Sequence, residues 1–298
     1  MKRTAVFHRC IGGLIPGLLL AVVVSQTLPA QASRILTDET GRRVLVPDHP
    51  QRVICLSPSV TDTVYAIGAG EDVVAISDYT KYPQAALVKP SVGDLIHPSL
   101  EKILALHPDL VLGSVPMGST ETTKQLERLG VAVYLVNPQG LAGVMRAVQS
   151  VGEALNRAPA ATALVARLQG RVAAVRERTQ HLGRPSVLMP VWYDPIVTIG
   201  RHAFITEIIE AAGARSVTGD IEADWPHVSM EAVIARAPEA LLLVRGGKTT
   251  LEVLEDRPGW AALPAVRMRR VYYVDDRIDL PSPVAIDALE ELAREFHP

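Results

Sequence analysis

The sequence predicts an α/β protein with two similar lobes, each with a mostly parallel sheet flanked by helices, joined by one long rigid helix. Three observations support this. Short hydrophobic runs alternate with helical segments along the chain, as in parallel sheets covered on both faces. One unit of this alternation occurs twice, as HPSLEKILALHPDLVL and HVSMEAVIARAPEALLL. Between the two copies, the segment from Pro159 to His181 has no turn signal and is rich in helix formers.

The repeated unit has five identical residues at one constant offset. They are His97/His227, Ser99/Ser229, Glu101/Glu231, Ala105/Ala235 and Pro108/Pro238. Five identities at a single offset indicate two related lobes. In each copy, Ser is expected to cap a helix, and Glu to lie exposed in its first turn, where the positive end of the helix dipole favours it. Pro is expected to end the helix.

Residues 1–32 are predicted to be a signal peptide that lies outside the fold. Three basic residues precede an apolar run from Ile11 to Val24, and Ala30-Gln31-Ala32 has the small-residue pattern of a cleavage site. As a membrane span, the run is too short and is interrupted by Gly and Pro. Cleavage is expected after Ala32, which places the mature protein in the periplasm.

The mature chain is predicted to contain three segments. They are an N-terminal lobe at 33–151, an interlobe helix at 152–182 and a C-terminal lobe at 183–298. A hairpin is expected around the first turn, TDETG, and Gly68 and Gly213 are expected to end equivalent helices. The last helix is predicted to have Ser282 as its cap and Pro283 at its first position.

Composition excludes several classes of function. The leader removes three of the 30 basic residues and none of the 32 acidic ones, so the mature net charge is about −5 with His neutral. No Lys/Arg cluster indicates a nucleic-acid partner. Two Cys exclude a disulfide framework, and Cys55 is expected to be a small buried hydrophobe. The chain has no Gly-x-Ser-x-Gly or His-Glu-x-x-His motif, so we predict neither an enzyme nor a cofactor.

The ligand is expected at the carboxyl ends of the strands, where the lobes face each other. Aromatic residues are only 4% of the chain, and several follow predicted strands. Such surfaces suit a large, flat, partly apolar ligand that a few polar groups orient. The predicted ligand-binding residues are Ser57, Pro58, Ser59, Tyr79, Tyr82, Asp94, Trp192, Tyr193, Trp225, Asp276 and Arg277.

Three segments carry a family resemblance: RVICLSPSVTDTVYAIGAGEDVVAISDYTKYP, VGDLIHPSLEKILALHPDLVL and DWPHVSMEAVIARAPEALLL. The chain resembles the substrate-binding proteins of ABC importers for cobalamin, ferric siderophores and haem, and is most similar to the cobalamin-binding branch. The resemblance implies that Glu101 and Glu231 engage arginines on the two copies of the membrane permease. It also implies that Trp225 and Asp276 contact a corrinoid. We expect a monomer that binds a corrinoid or another metal chelate and docks on a permease dimer.

Departures from the family pattern leave the identity of the ligand undetermined. Leu280 stands where the family has an Arg, and a cleft Trp near VGD is absent. Asp94 occupies the region where haem-binding members usually carry a Tyr ligand, which disfavours haem. A ferric-siderophore receptor is the alternative, with Arg201, Arg245 and Arg277 available for an anionic chelate.

Two further alternatives belong to other classes. A secreted enzyme could use the same cleft, since a fold does not determine a function. A carrier of bare transition-metal ions would use His97 and His227 together with Asp94 or Asp276. Isolated His residues are more often ordinary loop groups, so no metal site is predicted.

Overall fold

A computed structural model describes residues 32–93, 97–115 and 120–298. Residues 1–31 of the predicted signal peptide lie outside these ranges, and cleavage after Ala32 stays a prediction. Ala32–Pro298 forms one unit. None of the helices in the described ranges has the length and apolar character needed to cross a lipid bilayer.

Strands and helices alternate through the described chain, as the hydrophobic pattern predicts. The strands are β1 (Ser33–Thr37), β2 (Arg43–Pro47), β3 (Val53–Cys55), β4 (Val73–Ala75), β5 (Leu110–Ser114), β6 (Val133–Val136), β7 (Ser186–Leu188), β8 (Pro190–Tyr193), β9 (Ile196–Thr198), β10 (Arg215–Ser216), β11 (Ala240–Val244) and β12 (Val271–Val274). The helices are α1 (Pro58–Ala66), α2 (Leu100–Ala105), α3 (Thr120–Arg128), α4 (Gly140–Ala154), α5 (Ala158–Thr179), α6 (Phe204–Ala211), α7 (Met230–Arg236), α8 (Leu251–Glu255), α9 (Pro258–Ala261), α10 (Pro264–Arg267) and α11 (Ala285–Phe296).

Two parallel four-stranded sheets form the centres of the lobes, which confirms the predicted fold class. The N-terminal sheet has the order β4-β3-β5-β6, and the C-terminal sheet has the order β10-β7-β11-β12. All five residues of β5 are buried, as expected for a parallel strand covered on both faces. Each lobe adds an antiparallel hairpin, β1–β2 or β8–β9, and the first of these is the predicted one. Cys55 is fully buried in β3, as predicted.

The repeated unit folds in the same way in both lobes. The hydroxyl oxygens of Ser99 and Ser229 accept hydrogen bonds of 3.3 and 3.2 Å from the backbone N–H three residues later, so both predicted caps are confirmed. After α2 and α7, His107 and Ala237 both adopt a left-handed backbone with φ of 45°. The chain then continues through Pro into β5 or β11, an interior strand of its sheet.

Glycine ends the two helices where it was predicted to do so. Gly68 follows α1 with φ of 78°, and its N–H donates to the carbonyl oxygen of Tyr65 at 3.0 Å. Gly213 follows α6 with φ of 92°. A Cβ atom at Gly213 would lie 2.7 Å from the Cβ of Thr179, so this helix end tolerates no larger side chain.

The long helix α5 packs against both lobes. It lies within the predicted segment 152–182, and at about 1.5 Å per residue it is ~33 Å long. Helix α5 contacts α4 of the N-terminal lobe, and it also contacts α6 and α11 of the C-terminal lobe. Arg171 donates to Glu290 at 2.8 Å and to Asp287 at 2.7 Å, both on α11. Residues 152–154 of the predicted segment belong to α4.

A buried carboxylate joins the first helix of the N-terminal lobe to the last helix of the C-terminal lobe. Oδ2 of Asp62, on α1, accepts hydrogen bonds from the Ser282 hydroxyl at 2.8 Å and from the Val284 N–H at 3.0 Å. Helix α11 begins at Ala285 with Val284 at its cap position. The predicted cap at Ser282 and the predicted first position at Pro283 are therefore wrong, because Asp62 binds the serine hydroxyl.

Asp62 allows a prediction about stability and pH. Burial raises the pKa of its carboxyl group above the ordinary value, although both hydrogen bonds oppose this. The folded state then binds the proton more readily than the unfolded state. The contribution of Asp62 to stability is therefore fully present below the unfolded pKa and is lost as pH rises through the folded pKa. Asp62→Asn keeps an acceptor oxygen and removes the charge, so we expect its Tm to equal or exceed that of the wild type at pH 7.

Thermal unfolding between pH 7 and pH ~4 measures this effect, since the unfolded carboxyl group titrates near pH ~4. The difference between Asp62→Asn and the wild type should shift in favour of the wild type as pH falls. Asp62→Leu leaves the Ser282 hydroxyl and the Val284 N–H without an acceptor, which should cost about 1–3 kcal/mol. A difference between the Asn variant and the wild type that does not depend on pH would contradict the interpretation.

Candidate functional site

A cavity of about 1010 Å³ lies between the lobes at the carboxyl ends of the parallel strands. Its size is at the upper end of the range for small-molecule sites, roughly 300–1,000 Å³. Its wall comes from segments that follow strands of both sheets. The lining residues are Pro58, Ser59, Tyr79, Lys81, Tyr82, Ser114, Val115, Pro138, Gln139, Gly140, His202, Asp224, Trp225, Asp276, Asp279, Leu280 and Pro281.

Six of the predicted ligand-binding residues are in this lining. They are Pro58, Ser59, Tyr79, Tyr82, Trp225 and Asp276. The side chain of Tyr79, from the N-terminal lobe, is 61% exposed, and that of Trp225, from the C-terminal lobe, is 45% exposed. Large aromatic surfaces left open in a concave site are typical of ligand contacts.

Trp192 and Tyr193 lie outside the cavity lining. The Trp192 indole N–H donates to the carbonyl oxygen of Asp194 at 2.9 Å, and its ring stacks on Tyr193 at 4.8 Å between centroids. The Arg257 guanidinium covers the Tyr193 ring at 4.1 Å. These two aromatic side chains therefore pack on each other and on their own hairpin, and we leave them out of the proposed site.

Two other predicted residues, Ser57 and Arg277, are also absent from the lining. Ser57 is fully buried at the N-cap of α1, where its hydroxyl has no hydrogen-bond partner among the described residues. Arg277 donates to Asp275 at 2.7 Å and lies 3.5 Å from a carboxylate oxygen of Asp287 on α11. Asp94 lies outside the described residues.

One cluster of polar side chains joins the lobes across the cavity. Asp276 of the C-terminal lobe accepts a hydrogen bond from the Tyr82 hydroxyl at 2.5 Å and lies 2.5 Å from the Lys81 ammonium nitrogen. Both donors belong to the N-terminal lobe. The hydrogen bond to Asp276 stabilises the neutral Tyr82 hydroxyl and raises its pKa. Asp276 thus contacts the opposite lobe at the edge of the cavity.

A second contact between the lobes lies where α4 begins. The carboxylate of Glu207, on α6, accepts a hydrogen bond of 2.7 Å from the Leu141 N–H in the first turn of α4. Gly140 in the cavity lining has φ of 68°. A Cβ atom at Gly140 would lie 2.6 Å from an oxygen of Glu207, so a larger residue would strain the backbone and displace this carboxylate from Leu141.

The cavity is acidic. Three aspartates line it, namely Asp224, Asp276 and Asp279. Lys81, also in the lining, is ion-paired with Asp276. Asp279 is exposed to solvent, but partial desolvation by the surrounding cavity wall raises the pKa of its carboxyl group, an effect that Lys81 opposes. The described part of the lining contains no arginine. Such a site attracts cationic groups and hydrogen-bond donors, and it repels anions.

The arginines considered for an anionic chelate are bound to carboxylates elsewhere. Arg201 lies 2.6 Å from a carboxylate oxygen of Glu222. Arg245 forms ion pairs with Glu291 and Glu295 on α11. Neither residue, nor Arg277, lines the cavity.

Several lining residues were not predicted. Lys81, Asp224 and Asp279 each stand within two residues of a predicted one, so a prediction of whole loops would have included them. His202 and Gln139 follow strand ends in loops that hold no aromatic residue, so the sequence offered no comparable signal there. Nor was any metal site predicted, and the described residues contain no group of three or more His, Cys, Asp and Glu side chains suited to a metal ion.

The two repeated glutamates lie away from the cavity lining. Glu101 and Glu231 are exposed at the second positions of α2 and α7. The Glu231 backbone N–H and the Ser229 hydroxyl both donate to the Glu231 carboxylate and lower its pKa. Each lobe therefore presents one carboxylate from an equivalent helix start.

Comparisons with known proteins identify the family. A family model for periplasmic binding proteins matches residues 53–278. The uncharacterized ABC transporter substrate-binding lipoprotein YvrC of Bacillus subtilis is 30% identical over 271 residues, which cover 88% of this chain and 85% of that protein. A vitamin B12-binding protein of Vibrio campbellii is 25% identical, with 83% and 89% covered. The apo periplasmic heme-binding protein RhuT from Roseiflexus sp. RS-1 superposes with a TM-score of 0.76 at 29% identity, with 83% and 98% covered.

The chain belongs to the periplasmic binding protein family. It is a substrate-binding protein of an ABC importer, in the group that includes receptors for vitamin B12 and haem. Proteins of this family are transport receptors and not enzymes. The relatives indicate a location outside the cytoplasm.

Proposed function

We propose that this receptor captures a corrinoid in the cavity between its lobes and delivers it to an ABC importer. The observation that carries the proposal is the combination of acidic and aromatic groups in the cavity. Asp224 and Asp279 offer acceptor oxygens, and Tyr79 and Trp225 offer open aromatic faces from opposite lobes. A corrin ring is large and flat, and the amide groups around its edge donate hydrogen bonds that carboxylates accept.

The same combination disfavours the other chelates of this family. Haem carries propionate carboxylates, and many ferric siderophores are anionic overall. Both would meet the aspartates of an acidic cavity whose described lining has no arginine. A ferric-siderophore receptor remains the alternative, and it requires a ligand without net negative charge.

Delivery requires contact with the permease. We propose that Glu101 and Glu231 form this contact by pairing with arginines on the two permease copies. Their equivalent positions on α2 and α7 support this role, since a protein with two related lobes matches a partner with two related subunits. We further infer that export depends on a signal peptide cleaved after Ala32, and that the mature protein acts as a monomer.

Titration of the purified protein with several chelates tests the choice of ligand. Cyanocobalamin, dicyanocobinamide, haemin and a ferric siderophore are added separately, and the heat of binding is measured. We expect corrinoid Kd values of about 1 µM or lower and at least tenfold weaker binding of haemin and of an anionic siderophore. Tight binding of either anionic chelate without corrinoid binding would reject the proposal.

A further inference from the structure

A second large cavity, which we call the amino-end pocket, lies at the amino ends of the parallel strands of the C-terminal sheet. Its volume is about 670 Å³, and it shares no lining residue with the ligand cavity. Strands β7, β11 and β12 are neighbours in this sheet, so the residues just before them lie side by side at one edge. These residues are Pro185, Glu239 and Arg270, and all three line the pocket.

Arginines give the amino-end pocket a positive charge. Arg184, Arg269 and Arg270 line it, together with one carboxylate, that of Glu239. This carboxylate accepts hydrogen bonds from the N–H and the hydroxyl of Ser186 at 2.6 and 3.0 Å. The two bonds, together with nearby arginine charges, lower the pKa of Glu239, so it is ionised at neutral pH. Three cations against one anion leave the pocket with a net positive charge.

Two of these arginines have no carboxylate partner within the described chain. Arg184 donates to the backbone carbonyl oxygen of Ala214 at 2.9 Å, which is a neutral acceptor. The side chain of Arg270 is exposed and forms no ion pair or hydrogen bond with the described residues. Arg269, in contrast, donates to both carboxylate oxygens of Glu255 at 2.8 and 3.0 Å. The charges of Arg184 and Arg270 are therefore available to an external anion.

Apolar side chains lie beside these arginines. The ring of Tyr272, in β12, packs edge-on against that of Phe296 at 4.9 Å between centroids, and both residues line the pocket. Leu182 and Met268 each precede a lining residue in the sequence, and they are 44% and 57% exposed. Uncompensated guanidinium groups next to exposed apolar surface suit a ligand that has both an anionic and an apolar part.

We infer that the amino-end pocket binds a phosphate group carried by an amphipathic molecule. A guanidinium group donates paired hydrogen bonds that match the oxygens of a phosphate, and Arg184 and Arg270 offer two such groups from two different loops. The volume falls within the roughly 300–1,000 Å³ of small-molecule sites and exceeds what a phosphate alone would fill. The phosphate can belong to a soluble ester or to a phospholipid headgroup. The inference does not depend on the proposed corrinoid function.

Two probes separate these sources of phosphate. Calorimetry with phenyl phosphate measures binding of a soluble ester, and co-sedimentation with vesicles of phosphatidylglycerol or phosphatidylcholine measures binding to an anionic lipid. At low salt we expect a phenyl phosphate Kd of about 1 mM or lower, or retention by the phosphatidylglycerol vesicles alone. Arg270→Gln should weaken the binding that is observed about 5- to 20-fold, and Arg270→Lys should weaken it less because it keeps the charge.

Arg146→Gln is the matched control, since Arg146 is an exposed arginine on α4 outside both cavities. Binding of either probe that is weakened by Arg270→Gln supports the site, and the probe that binds identifies the source. Binding of neither probe would overturn the inference, as would equal affinities of wild type and Arg270→Gln. A loss in the control as large as in Arg270→Gln would overturn it too, because it would show nonspecific attraction. The Tm and the Kd for cyanocobalamin should not change in Arg270→Gln, which shows that the variant is folded.

Discussion

Reversal of charge at both repeated glutamates, Glu101→Arg together with Glu231→Arg, is expected to abolish uptake of the ligand. Each substitution sets a cation against the permease arginines proposed as partners, and such a contact costs several kcal/mol. We expect uptake to fall by roughly 100-fold or more. The Kd of the free receptor should change less than about twofold, because neither glutamate lines the cavity.

Uptake of labelled cyanocobalamin by cells that depend on this receptor measures the first effect, and calorimetry measures the second. Glu252→Arg is the matched control. Glu252 is also exposed at the second position of its helix, and its own N–H and the Thr250 hydroxyl lower the pKa of its carboxyl group. It does not belong to the repeated unit. Normal uptake with the double variant would reject the docking role, and equal losses in the control would show a nonspecific charge effect.

Removal of the aromatic wall at Trp225 is expected to cause the largest loss of ligand affinity. Trp225 lines the cavity, and its large indole is 45% exposed. Truncation of an aromatic residue that anchors a ligand typically costs about 2 kcal/mol or more, so Trp225→Ala should weaken binding about 10- to 100-fold. Trp225→Phe should lose less, since it keeps a stacking face.

A second tryptophan provides the control for this experiment. Trp192 is similarly exposed, at 37%, but it lies outside the cavity lining, so Trp192→Ala should bind with nearly unchanged Kd. The third tryptophan, Trp260, is only 3% exposed in the core, so its side chain should not contact the ligand. Equal effects of Trp225→Ala and Trp192→Ala on corrinoid affinity would show that the site has been placed wrongly.

Features that depend on neighbouring residues could be predicted from the sequence. The caps at Ser99 and Ser229 involve atoms three residues apart, and the helix ends at Gly68 and Gly213 depend on one backbone angle. The buried strands are apolar on both faces, so their hydrophobic runs remain visible whatever the partner strand is. The repeat then identified two lobes, because related segments fold alike.

Features that depend on distant residues could not be predicted. Serine is a common helix-capping residue, but the hydroxyl of Ser282 instead donates its hydrogen bond to Asp62 of the other lobe. Asp276 meets Lys81 and Tyr82 only because the two lobes close on each other. The spacing of residues along the chain does not indicate which distant side chains will form such pairs.

The sequence by itself thus determined the α/β class, the two lobes, the caps and ends of the repeated helices, and several of the loops that surround the cavity. Only the tertiary structure decided which side chains of those loops face the cavity. In the folded protein, Trp225 and Asp276 line the cavity, whereas Trp192 and Arg277 lie outside its lining. The physical reason is that a side chain's orientation depends on its nearest packing and charge partners. For Arg277 these include a carboxylate on α11, and for Asp276 they come from the opposite lobe.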